Sequence, residues 1–139
     1  MLEPSAAVPG RKMVVVVEDD PETRELEVFL LGAEGYRVVG VPDGESAAAT
    51  IKREAADLVI LDLMLPGKDG IQVLAELGRE PATASTPVIV VSAYAGHARG
   101  REAVLRAPQV RRVLEKPFDI AELLDAIAHE LGPPACPPG

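Results

Sequence analysis

The chain has 139 residues, of which 47% are hydrophobic and 26% charged, and this balance favours one globular domain with a single core. A formal net charge of −8 argues against nucleic acid as the main partner. The sequence has one cysteine, no secretory signal and no apolar run as long as a membrane span. We therefore expect a cytoplasmic protein without a disulfide and without membrane contact.

Short apolar runs alternate along the chain with segments of helical pattern. The runs predict five strands covered on both faces, at residues 14–17, 37–41, 58–61, 88–91 and 110–114. The other segments predict five helices, at residues 22–31, 45–55, 70–77, about 98–106 and 120–131. This alternation predicts an α/β fold, with a doubly wound parallel sheet and helices on both sides.

The two ends of the chain differ in composition from its middle. We expect residues 1–11 to form a flexible leader, residues 12–131 one folded domain, and residues 132–139 (GPPACPPG) a proline-rich tail or linker stump. No DNA-binding helices follow the domain, so a stand-alone relay and a fragment of a larger regulator both remain open.

Polar residues stand at the ends of four predicted strands. Because ligands bind beyond the carboxyl ends of the strands in such sheets, these side chains are expected to meet. They are the carboxylates Glu18, Asp19 and Asp20 after the first strand, Asp62 after the third, the Ser92 hydroxyl after the fourth and the Lys116 ammonium after the fifth.

The chemistry of this set narrows its function. Two carboxylates about 5 Å apart repel by roughly 3 kcal/mol at an effective dielectric constant of about 20, so such a cluster must raise a pKa or share a cation. Oxygen ligands without histidine or cysteine suit a hard ion that keeps several waters, such as Mg²⁺. An aspartate can also attack phosphorus to form an acyl phosphate, and a lysine can neutralise the phosphoryl oxygens.

The sequence resembles the receiver domain of two-component response regulators. The resemblance covers residues 12–131 and rests on the motifs VVVEDD, DLVILDLMLPGKDG, VIVVSA and EKPF, which follow in the order and at the spacing of that family. It implies a flavodoxin-like (βα)5 three-layer sandwich with sheet order 2-1-3-4-5. It also implies a bacterial phosphorelay protein that is not an enzyme, beyond its own Mg²⁺-dependent phosphotransfer and autodephosphorylation.

The resemblance assigns roles to the acidic residues. Asp62 would accept a phosphoryl group from a sensor histidine kinase or a histidine phosphotransfer protein. Mg²⁺, with Mn²⁺ as an alternative, would be bound by Asp19, Asp62 and the backbone carbonyl of Met64, and Glu18 would help through water. Asp20 is instead interpreted as the cap of the first helix, ahead of Pro21.

The resemblance also assigns the groups that would read the phosphorylated state. Lys116 would pair with the phosphoryl oxygens, Ser92 would be the switch hydroxyl, and the bond from Lys116 to Pro117 would be cis. The surface of the fourth helix, fifth strand and fifth helix would bind a downstream protein or a second copy in a homodimer.

One position departs from the family pattern and leaves an alternative open. Receivers usually carry Tyr or Phe three residues before the lysine, where this chain has Val113, so coupling to the output face is in question. The alternative is a pseudo-receiver, a constitutive interaction module with a weak or absent response to phosphate. An aspartyl phosphatase is disfavoured because Met64 stands where those enzymes carry a second aspartate, and flavin binding because the loop after the first strand is acidic.

The remaining polar residues receive structural interpretations. Lys68 and Asp69 are expected to be loop and cap residues, and the isolated His97 and His129 surface residues. Cys136 is expected to be an inert thiol. The charges of the first helix are interpreted as a solvated face; they are Glu22, Arg24, Glu25 and Glu27.

Overall fold

The computed structural model describes residues 11–93, 104 and 106–132. The elements in this part of the chain are β1 (Met13–Val17), α1 (Pro21–Ala33), β2 (Arg37–Val41), α2 (Ala47–Arg53), β3 (Leu58–Asp62), α3 (Gly70–Arg79), β4 (Val88–Ser92), β5 (Val110–Glu115) and α4 (Ile120–Leu131). Most of the helix predicted at about residues 98–106 lies outside the described residues; Val104 and Arg106 are described and are helical. None of the described helices has the length and apolar character needed to cross a membrane.

The five strands form one parallel sheet in the order β2-β1-β3-β4-β5. This order confirms the predicted fold class and sheet topology. The chain winds outward from β1 in both directions, and β1 therefore pairs with β2 on one side and β3 on the other. The carboxyl end of β1 lies next to that of β3, because Val17 is in register with Leu61.

The valines of β1 are buried on both faces of the sheet. Val15 and Val17 pack into a cluster with side chains of α2 and α3, whereas Val14 and Val16 pack into a second cluster with side chains of α1 and α4. All residues of β1, β3 and β4 are buried. A strand covered by helices on both faces has no solvent side, which explains why its sequence is continuously apolar rather than alternating.

Side-chain caps fix where the helices begin. Asp20 accepts a hydrogen bond from the backbone N–H of Thr23 at 2.9 Å, as predicted for the cap of α1. Asp69 and Gln72 exchange backbone-to-side-chain hydrogen bonds of 2.9 and 3.0 Å, which is the predicted capping box of α3.

Helix α2 is shorter than the predicted segment of residues 45–55. Before it, Asp43 accepts hydrogen bonds from the N–H and the hydroxyl of Ser46, both at 2.8 Å, and this turn delays the helix until Ala47. At its other end, Ala55 adopts a positive φ of 51° and stops the helical repeat. The difference arises from local turn geometry that apolar spacing does not encode.

Candidate functional site

The carboxyl edge of the sheet carries the polar groups expected there. Asp62 and Ser92 are the last residues of β3 and β4, and Glu18 directly follows β1. The backbone pairing continues past β5, since Lys116 N–H donates to the Ser92 carbonyl at 3.1 Å. Neighbouring strand ends thus hold these side chains at one edge, and the Lys116–Pro117 peptide bond is cis, as expected.

Three carboxylates form a cluster at this edge. Oxygen atoms of Glu18, Asp19 and Asp62 lie within 4.8 Å of one another. Glu18 is 1% exposed and Asp62 is 3% exposed, whereas Asp19 is open to solvent. The cluster therefore has two buried members and one accessible one, and its oxygen-only donor set fits a hard divalent ion that keeps some of its water.

Lys116 supplies the positive charge that offsets the cluster. Its Nζ donates to Glu18 Oε1 at 2.7 Å and to Asp62 Oδ2 at 2.8 Å. Burial alone would lower the pKa of Lys116, but the hydrogen bonds to Asp62 and Glu18 outweigh it and raise the pKa above its ordinary value. Lys116 is therefore an ammonium at neutral pH, and it bridges the two buried carboxylates.

The hydrogen bond from Lys116 stabilises the charged form of Glu18. Burial raises the pKa of Glu18 above its ordinary value, and the nearby Asp62 carboxylate acts in the same direction. Hydrogen bonds from Lys116 and from the Asp20 N–H, the latter 3.1 Å from Glu18 Oε2, oppose that rise. Any change that takes the ammonium away leaves Glu18 in need of a proton or another cation.

The loop after β3 holds Asp62 from its other side. The Met64 N–H donates to Asp62 Oδ1 at 2.9 Å, and the Gly70 N–H donates to the Leu63 carbonyl at 3.1 Å. A Cβ at position 70 would lie 2.6 Å from Leu63 Cα and 2.7 Å from the Asp62 carbonyl oxygen. Gly70 therefore allows the start of α3 to approach the strand end, a role that was not predicted although the Asp-Gly pair marks the position.

Arg24, which was predicted to lie on a solvated face of α1, instead contacts the backbone of the acidic loop. Its Nη1 donates to the carbonyl oxygens of Glu18 at 2.9 Å and Asp19 at 3.3 Å. The stem of Arg24 also packs against Gly40 of β2, where an added Cβ would lie 3.0 Å from Arg24 Cγ. Arg24 therefore fixes the backbone of the acidic loop, rather than extending freely into water.

Glu27 was also predicted to lie on the solvated face of α1, and this prediction is wrong because the residue is buried. It is 4% exposed, and its Oε1 has no hydrogen-bond partner among the described residues. Burial raises the pKa of Glu27 to about 7; the negative charges of Glu18 and Asp62 add to this effect, and Lys116 opposes it. The helical spacing contained the signal, because Glu27 lies one turn before the buried Leu31.

Replacing Glu27 with glutamine is expected to stabilise the fold at neutral pH and above. The pKa of Glu27 rises from 4.5 in its ordinary state to about 7 here. Between these values the folded chain holds a proton that the unfolded chain has released, so this contribution to stability is present at low pH and is lost as pH rises. A shift of this size corresponds to about 3 kcal/mol.

Urea unfolding from about pH 4 to about pH 8 checks this expectation. Glu27→Gln should match the wild type at the acidic end and exceed it at the alkaline end. Glu25→Gln removes the same charge from an exposed position of the same helix and should keep the wild-type pH profile. Parallel profiles for Glu27→Gln and the wild type would show that Glu27 does not carry this proton.

The structure also describes two other positions that the sequence analysis named, Val113 and Ser92. Val113 is half-buried, pairs with Val90 of β4 and packs against the cluster beneath α2 and α3. Ser92 is fully buried at the end of β4. Of the other residues named from the sequence, His97 and Cys136 lie outside the described residues.

The fold and this edge together define a flavodoxin-like α/β signalling domain with an acidic cluster and a bridging lysine. The chain belongs to the response regulator receiver domain family, whose sequence model matches residues 14–128. It is thus a receiver domain of two-component response regulators, as its motifs indicated.

Three curated proteins with sequences similar to this chain are two bacterial regulators and one protein of about the same length as this chain. The chain is 38% identical over 117 residues to the transcriptional activator protein PfeR of Pseudomonas aeruginosa, covering 84% of this chain and 36% of that protein. It is 33% identical over 134 residues to the phosphate regulon transcriptional regulatory protein PhoB of Escherichia coli, covering 89% and 55%. An uncharacterized 14.6 kDa protein of Leptolyngbya boryana is 34% identical over 111 residues, covering 80% and 83%. The chain therefore spans only part of the two named regulators.

Solved structures share the fold over nearly their whole length. The receiver domain of the sensor histidine kinase PA1611 from Pseudomonas aeruginosa, which has a magnesium ion coordinated in its active-site cleft, is 30% identical with a TM-score of 0.75 and covers 88% of this chain and 98% of its own. A CheY-like receiver domain protein from Methanospirillum hungatei has a TM-score of 0.80 and covers 87% and 94%; at 24% identity it supports the fold alone.

Proposed function

We propose that this receiver is phosphorylated on Asp62 by a sensor histidine kinase or a histidine phosphotransfer protein. The observation that carries the proposal is the position of the Asp62 carboxylate. It lies at the middle of the carboxyl edge, between the acidic pair of β1 and the Lys116 ammonium, which is 2.8 Å away. A nucleophilic carboxylate beside a cation site and a lysine has the parts that phosphoryl transfer needs.

The acidic cluster fits Mg²⁺, with Mn²⁺ as an alternative. Three carboxylates offer oxygens within 4.8 Å of one another, and solvent reaches Asp19. Asp19, Asp62 and the Met64 carbonyl would hold the ion, with Glu18 acting through water. When bound, the ion would neutralise charge on the phosphoryl oxygens. The magnesium in the PA1611 receiver supports this assignment by analogy.

The residues of the chain then have distinct tasks in the transfer. The other ring nitrogen of the donor phosphohistidine first takes a proton from solvent. An Asp62 carboxylate oxygen then attacks phosphorus, and the new O–P bond forms as the P–N bond breaks and neutral imidazole leaves with the electron pair of that bond. Lys116 exchanges its hydrogen bond to Asp62 for one to a phosphoryl oxygen, and the Ser92 hydroxyl donates to another. Hydrolysis by water later returns the Asp62 carboxylate and inorganic phosphate.

The proposed output is a change on the surface around β5. A downstream protein, or a second copy of the chain, would bind a surface that includes β5 and α4. The competing function is a constitutive interaction module. Its support is Val113, since a small aliphatic side chain packed against the core cannot swing between two positions as an aromatic ring can.

Titration with Mg²⁺ and then beryllofluoride, followed by amide NMR, separates these two functions. We expect Mg²⁺ to shift the amides of Asp19, Asp62 and Met64, and beryllofluoride, which imitates the phosphoryl group on aspartate, to shift those of Ser92 and Lys116 as well. Shifts that continue to Val113 and into α4 would support a signalling receiver. A spectrum that ignores beryllofluoride in the presence of Mg²⁺ would favour the constitutive module.

A further inference from the structure

A groove lies beside the carboxyl edge, and of its lining residues the proposed phosphotransfer chemistry uses only Lys116. It runs between α1 and the segment from β5 to α4, and its volume is about 490 Å³. Its walls are mainly apolar and include Leu26, Leu30, Pro117 and Phe118. Ligand pockets for small molecules have volumes of about 300 to 1,000 Å³ and similar linings, with a few placed polar groups.

Glu27 supplies a polar group of this kind. Its carboxylate lines the groove and is 4% exposed, and Oε1 lacks a hydrogen-bond partner in the part of the chain that the structure describes. A buried acceptor without a donor is unfavourable, and native structures keep such groups where a ligand, water or ion completes them. The groove therefore presents an unused acceptor within an apolar wall.

Two cations of the described residues lie near Glu27, Lys116 and Arg24, and neither donates to it. The Lys116 ammonium donates to Glu18 and Asp62, at 2.7 and 2.8 Å. The Arg24 guanidinium donates to backbone carbonyls of the acidic loop. Both cations are thus committed to the acidic loop and its cluster.

We propose that this groove binds a small amphipathic cation, with an ammonium or amidinium head on Glu27 and an apolar body along Leu30 and Phe118. The charge around the groove selects this chemistry. An ionised Glu27 carboxylate, with Oε1 unpaired among the described residues, repels an anion and accepts from a donor. A donor that carries positive charge forms the stronger hydrogen bond with a carboxylate, and the apolar body covers the groove walls.

Three probes with one apolar chain test this proposal: hexylammonium, hexanol and hexanoate. Each is titrated into the full chain in excess MgCl₂, and amide and methyl NMR shifts are followed at Leu30 and Phe118 for the groove and at Met64 for the acidic cluster. Hexylammonium is expected to bind at the groove at least about tenfold more tightly than hexanol, because a hydrogen bond to a charged group is the difference between them. Hexanoate is expected to bind more weakly than either.

Two variants of α1 test whether Glu27 causes the preference for hexylammonium over hexanol. Glu27→Gln should lose the preference for hexylammonium over hexanol, whereas Glu25→Gln, at an exposed position of the same helix, should keep it. Glu27 faces the charges of Glu18, Asp62 and Lys116, and burial raises its pKa above the ordinary value. Binding of hexylammonium to the wild type should therefore strengthen as pH rises through the range in which Glu27 ionises, and the variant should lack this dependence.

Equal affinity for hexylammonium and hexanol in the wild type would overturn the proposal. So would an ammonium preference that survives in Glu27→Gln, or shifts that appear at Met64 alone. Because the probes require no phosphoryl transfer, these outcomes are independent of whether Asp62 is phosphorylated.

Discussion

Incubation with acetyl phosphate and Mg²⁺ is expected to add one phosphoryl group to the wild-type chain and none to Asp62→Asn. Asparagine keeps the size of the side chain and can still accept from the Met64 N–H, but its amide nitrogen cannot accept from Lys116. It lacks the anionic oxygen that attacks phosphorus, and it removes one charged ligand from the acidic cluster. The loss is therefore expected to be complete rather than partial, and intact-protein mass spectrometry measures it directly.

Asp69→Asn is the matched control for this experiment. It makes the same change in an exposed residue at the start of α3, where asparagine caps a helix about as well as aspartate. This variant should take up phosphoryl as the wild type does, and chelation of Mg²⁺ should abolish uptake in both. Undiminished labelling of Asp62→Asn would place the acceptor at another residue.

The fold could be predicted largely because two patterns in the sequence agree. One is the continuous apolar character of the strands, and the other is the alternation of strands with helices. The run Val14 to Val17 is apolar at every position, and this is possible only in a strand that helices cover on both sides. Once parallel strands are assumed, their carboxyl ends must share an edge, so residues that stand far apart in sequence, such as Glu18 and Lys116, are brought into contact.

The acidic residues after β1 differ in whether a local or a distant part of the sequence determines their role. Asp20 precedes a proline and caps α1, and its own N–H donates to Glu18. Glu18 itself is turned inward to Lys116. The sequence separated the capping residue from the site residues because a helix start has a local signature, whereas the inward turn of Glu18 depends on a lysine 98 residues away.

Residue type alone predicts the environment of the polar side chains of α1 less well than their position on the helix. The acidic side chain of Glu27 predicts a solvated position, whereas its spacing from Leu31 places it on the buried side of α1. The charge of Arg24 also predicts a solvated position, whereas its long side chain reaches two backbone carbonyls. Spacing identifies the buried face of a helix, but which polar side chain it will tolerate depends on partners from other elements.

Lys116→Met is expected to destabilise the fold by about 2 to 3 kcal/mol at neutral pH, because it leaves two buried carboxylates without their shared cation. Glu18 and Asp62 are each nearly inaccessible to solvent, and both are bonded to this one ammonium. The Lys116 side chain is 27% exposed, which places the expected loss below that of a fully buried pair. Chemical unfolding, with Lys52→Met as a control at an exposed ion pair, measures the difference.

The dependence of this loss on pH and Mg²⁺ distinguishes lost charge from lost packing. Without the ammonium, the pKa of Glu18 should rise further, and an acid whose folded pKa is raised contributes stability that is present at low pH and lost as pH rises. The penalty of Lys116→Met should therefore shrink as the solution is acidified. Mg²⁺ should stabilise the variant more than the wild type, since a divalent ion at the cluster replaces the missing positive charge. A penalty that is constant across pH and unaffected by Mg²⁺ would assign Lys116 a packing role instead.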